Sequence, residues 1–141
     1  MTPETLPTTP RRTAASWRPA VLAAVADVVW VVVFAAIGRR SPDEHEGFVA
    51  VLATAWPFFA GVAIGWLATR AWRRPLALWP TGVAVWAAAW AVGMLLRLAT
   101  DQGIAPSFQV VAAVFLGLGL LGWRALAAAY GRCARRGQTT P

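Results

Sequence analysis

Lysine and asparagine are missing altogether from this 141-residue chain, and histidine and cysteine occur once each, as His45 and Cys133. A lone cysteine excludes an intrachain disulfide and a cysteine cluster for a metal. A lone histidine leaves too few nitrogen ligands for a metal centre. Charge is scarce as well: 13% of the residues carry it, against roughly a quarter in a soluble domain. The sequence contains no Ser/His/Asp set, HExxH, CxxC, phosphate-binding loop or dinucleotide fingerprint. An aspartyl mechanism needs two neighbouring carboxylates, and only Asp27 stands inside an apolar stretch. These absences point away from an enzyme and from any cofactor.

What is present is apolar and arranged in blocks. Residues 47–69, 75–96 and 103–123 hold no Asp, Glu, Lys or Arg, and 19–38 holds only Asp27. About 20 helical residues cross the ~30 Å hydrocarbon core of a bilayer. A soluble amphipathic helix would show a polar stripe every three to four residues, and these windows show none. The reading is an all-α, integral membrane four-helix bundle of two antiparallel hairpins, since short connections make sequential helices antiparallel neighbours. Its helices are expected at about 17–38, 47–69, 78–98 and 107–129, making a 17–129 transmembrane domain. Disordered cytoplasmic tails are expected at 1–16 and 130–141. The first helix reads as retained, because only five residues separate Arg18 from the cleavage-like Ala24-Val25-Ala26, too few for a signal-peptide core.

All 13 basic residues are arginine, and their distribution sets the orientation. Ten fall in the N-terminal segment, the 70–79 turn and the C-terminal end; Arg39, Arg40 and Arg97 fall on the opposite side. Excess arginine marks the cytoplasmic face, so both termini are expected inside. Trp17, Trp66, Trp72, Trp79 and Trp123 lie near that face, where indoles favour the headgroup level. The strong positive charge therefore reports topology and a lipid bilayer partner, with no nucleic acid. Abundant Ala, Arg, Gly and Trp without Lys or Asn suit a GC-rich bacterial genome, and hence the bacterial plasma membrane. "FFAGVAIGW" and "FLGLGLLGW" close the second and fourth helices alike; a parallel duplication and chance recurrence are equal readings of this.

Asp27 is the first candidate for function. A charged carboxylate at mid-helix costs on the order of 3 kcal/mol in the membrane, so it should face the bundle. Thr54, Trp56, Trp86 and Trp90 are expected at similar depth, and indole N–H groups are suitable donors to it. A polar clasp between helices is favoured over a proton or cation site. Pro57 frees the carbonyl of Ala53; a proline simply tolerated in the span is favoured over one that kinks the helix and opens a polar cavity near Asp27. Trp86, Trp90, Gly93 and Arg97 share one helix face, read as a packing seam in preference to a ligand groove. Gly61, Gly65, Gly117 and Gly122 offer close helix approach, within one chain or with a second copy or another membrane protein. Arg39, Arg40 and Arg97 form an outer cationic cluster. Arg97 and Asp101 stand at i,i+4, so self-neutralisation is favoured there over anion binding.

The segments "DVVWVVVFAAIGRRS", "TAWPFFAG", "VGMLLR" and "GIAPSFQVVAAVFLGLGLLGWR" resemble the actinobacterial membrane-protein family catalogued as domain of unknown function 3054. The resemblance spans about residues 27–124. It implies a small four-helix protein of the bacterial inner membrane and no particular activity. Its polar motif members fall on Asp27, Arg39, Arg40, Ser41, Arg97, Ser107, Gln109 and Arg124. Two functions stay open: a structural or accessory membrane component, which is favoured, and a small proton-coupled transporter with Asp27 as the coupling carboxylate.

Overall fold

A computed structural model describes residues 17–38 and 47–136. The protein is all-α. Its helices are α1 (Arg18–Gly38), α2 (Gly47–Thr69), α3 (Val83–Ala99) and α4 (Pro106–Arg136). A 3₁₀ turn at Ala71–Arg73 and a bend at Leu78–Gly82 join α2 to α3. All four helices are long and apolar enough to cross a membrane, the third counted from Leu78. At 1.5 Å per residue, the 21 residues of α1 reach about 30 Å. The chain is a multi-pass membrane protein.

Two helix ends differ from the sequence expectation. Trp79 is extended (φ −119°, ψ 134°) because the residue before a proline is pushed out of the helical region. Regular α3 therefore begins at Val83 instead of 78. At the other end, α4 runs on to Arg136, through strong helix formers such as Ala125–Ala129. The segment expected as a tail from residue 130 is thus helical to 136. The expected tail at 1–16 and residues 137–141 lie outside the described residues, as does the 39–46 loop.

Each helix packs on its sequence neighbours, and α4 closes back onto α1. The closest approach is between α2 and α3. A Cβ placed on Gly61 would sit 2.6 Å from the Ala88 carbonyl oxygen, and one on Gly65 would sit 2.8 Å from Val85 Cα. These glycines, four apart on one face, let two backbones touch within a single chain. Gly93 likewise makes room for the Phe58 ring. The centre of the bundle is aromatic. Phe34 meets Phe58 edge-on at 5.0 Å and lies 5.7 Å from Phe115, which stacks on Trp30 at 5.1 Å.

Three deep tryptophans grip α4. Trp86 donates to the Ala113 carbonyl at 2.9 Å and Trp90 to the Gln109 carbonyl at 3.1 Å. Both donors and both acceptors are spaced i,i+4, so antiparallel α3 and α4 meet in register. From the other side, Trp30 of α1 donates to the Phe115 carbonyl at 3.0 Å. Gly117 and Gly119 face the Trp86 and Trp30 rings respectively, and a larger residue there would occupy the space of the indole.

Candidate functional site

Asp27 faces the interior of the bundle with no exposed surface. Its partners are set by the helices on either side. Arg124 of α4, equally enclosed, donates through Nη1 to Oδ1 at 2.8 Å and through Nη2 to Oδ2 at 2.7 Å. Trp66 of α2 donates its indole N–H to Oδ2 at 2.9 Å, and Trp123 of α4 donates to Oδ1 at 2.9 Å. A carboxylate can accept about four hydrogen bonds, and four donors converge here. Two come from a guanidinium in the parallel geometry that matches a carboxylate. All four groups are donors, so together they fill the acceptor capacity of the carboxylate.

Arg124 is held on every side. Nη1 also donates to the Leu120 carbonyl one turn back, at 2.7 Å, and Nε donates to the Pro75 carbonyl at 3.2 Å. The guanidinium lies over the Trp123 ring, 4.5 Å from its centroid. One indole therefore donates to the anion and offers its face to the cation. The aliphatic stem passes Gly82, where an added Cβ would come within 3.0 Å of Arg124 Cδ. The cluster links α1, α2, α4 and the α2–α3 connection at one level.

Thr54, Trp56, Trp86 and Trp90, expected beside Asp27, are engaged elsewhere. Thr54 donates to the Ala50 carbonyl of its own helix at 3.1 Å. Trp56 is 40% exposed, and Trp86 and Trp90 belong to the α3–α4 seam. The difference arises because the helices do not end flush. Asp27 is nine residues into α1, about 13 Å, whereas Trp66 is three residues from the end of α2, about 5 Å. Pro57 is buried within an unbroken α2, nine residues and about 13 Å from the Trp66 level. At that distance the less favoured reading of Pro57, a polar cavity beside Asp27, does not hold. Arg124, Trp66 and Trp123 had the appearance of membrane-boundary residues, since each stands near the end of an apolar window. Arg124 stands among the polar members of the family-like segments, but nothing in the sequence pairs it with Asp27.

On the opposite end, Arg97 donates to Gln102 Oε1 at 3.1 Å and to the carbonyls of Gln102 and Gly103 at 3.0 and 3.3 Å. It also covers the Phe108 ring at 4.6 Å. Its hydrogen bonds thus fix the α3–α4 turn rather than pair with Asp101, whose φ of +53° belongs to that turn. Arg39, Arg40 and Ser41 lie outside the described residues. Ser107 is exposed at the start of α4, and Gln109 donates to the Ile104 carbonyl at 3.2 Å.

Gly122 departs from its expected packing role, with open space where a Cβ would stand. It lies between two shallow apolar hollows of about 390 and 400 Å³, which share Leu118 and Gly122. Neither is lined by Asp27 or Arg124. Among the described residues no group of three His, Cys, Asp or Glu is placed to hold a metal.

The family described as Protein of unknown function (DUF3054) matches residues 24–127. The chain belongs to this family. The match takes in Asp27, Trp66, Trp123 and Arg124, so the whole clasp lies within the family's domain. No curated protein and no solved structure matches the chain.

Proposed function

We propose that the chain is a structural or accessory component of the bacterial plasma membrane, with both termini in the cytoplasm and no enzymatic activity. The observation that carries this reading is the saturation of Asp27. A coupling carboxylate must exchange its proton with water on one side and then the other. This one is enclosed, bound to Arg124, and filled by two further N–H donors. Such an arrangement suits a fixed joint between α1 and α4, supported by α2. The arginine bias and the interfacial tryptophans supply the orientation.

The test is proton flux in proteoliposomes carrying a pH-sensitive dye, with an imposed pH gradient or membrane potential. Wild-type chain should pass no more protons than empty vesicles, and Asp27→Asn should lose folded protein. A wild-type flux abolished by Asp27→Asn with the fold intact would replace this reading with the proton-coupled transporter.

A further inference from the structure

We propose that the connection between α2 and α3 is a binding site for the headgroup of an anionic phospholipid. Arg70, Arg73 and Arg74 project from one tight turn. Arg70 is left-handed (φ +49°), and the Arg70 and Ala71 carbonyls accept from the amides of Arg73 and Arg74 at 2.9 and 3.1 Å. All three arginines are exposed. Exposed Arg18 joins them at the same end of the bundle, since α1 begins where α2 finishes.

No carboxylate answers this charge among the described residues. They include only Asp27, already bound within the bundle, and Asp101, in the turn at the other end. Interleaved with the arginines are exposed apolar side chains: Trp72 (49%), Leu76, Leu78 and Trp79 (77%). Water-facing loops seldom show such a mixture, which suits the layer between phosphate and acyl chain. There guanidinium groups pair with phosphate oxygens and indoles sit at headgroup depth. Basic clusters directly beside a membrane span favour anionic lipid.

The loop is also pre-set. Ala71 and Pro75 are buried, and the Pro75 carbonyl accepts from Arg124 Nε. The residue next to Arg74 is therefore tied to the Asp27 joint, and a lipid held by Arg73 and Arg74 would brace that joint from outside. The inference is independent of whether Asp27 carries protons.

The experiment measures thermal unfolding of the purified full-length chain in nonionic detergent, with added short-chain phosphatidylglycerol or phosphatidylcholine. Phosphatidylglycerol should raise Tm by about 4 °C or more above phosphatidylcholine. The Arg73→Gln/Arg74→Gln variant should keep less than half of that gain, and inorganic phosphate should give none. Equal Tm in the two lipids, or a full gain in the variant, would overturn the site. So would the same gain from phosphate alone, which means a free-anion site, or from a short oligonucleotide, which means nucleic acid. Native mass spectrometry of the wild type is a second readout should the variant not fold. Phosphatidylglycerol should be retained in excess of phosphatidylcholine, and equal retention would overturn the proposal.

Discussion

Replacing Asp27 by asparagine keeps the shape of the side chain and removes the anion. Arg124 would then be a buried cation with no counter-ion, a change that costs about 3–5 kcal/mol. Arg124→Gln should cost a similar amount for the converse reason. The double variant Asp27→Asn/Arg124→Gln should lose less than the sum of the two, because neither charge is left stranded. Unfolding in detergent micelles measures all three, and strict additivity would mean the pair is not coupled. Trp66→Phe removes one hydrogen bond to a charged acceptor and should cost about 1.5–3 kcal/mol. The inward orientation of Asp27 was legible in the sequence, since a lone acid in an apolar run has nowhere else to go. Its partners were not. Identifying Trp66 and Arg124 requires knowing how far each helix slides along its neighbour, and apolar windows of similar length carry no such information.

Glycine spacing shows what the sequence says about an element and what it omits. Gly61 and Gly65 were legible as a close-packing pair from their spacing, but nothing local names α3 as the surface they meet. Gly122 looked equivalent and is not, because it faces outward between two hollows. Gly61→Ala should therefore destabilise by about 1–3 kcal/mol through overpacking against the α3 backbone. Gly122→Ala should be neutral or gain up to about 1 kcal/mol from helix propensity. Thermal unfolding of the two variants side by side decides this, and equal effects would contradict the packing. The α2 limits, 47–69, were legible because no charge interrupts them. The start of α3 and the end of α4 were not, since hydropathy does not register an extended residue before Pro80 or a helix continuing past the span.

Among the described residues the charge is asymmetric, with Arg18, Arg70, Arg73, Arg74, Arg124 and Arg132 towards one end of the bundle and Arg97 at the other. Cys133, the single cysteine, is exposed near the end of α4. On the proposed topology, which puts both termini in the cytoplasm, a membrane-impermeant thiol reagent should label it only after the membrane is opened. Ready labelling in intact spheroplasts would invert the topology.

Distance along the chain gives the ion pair a history. Asp27 and Arg124 are 97 residues apart, so at about 5–20 residues per second of synthesis the acid waits roughly 5–20 s for its counterpart. A polar group without partners is costly in lipid, so until the last span arrives the first one carries its acid without the guanidinium that answers it. Released chains that end at Trp123 should therefore be degraded faster in cells than chains carried through Arg136, although the first three spans are complete in both. Equal lifetimes would show that the late arginine is not what secures the early acid.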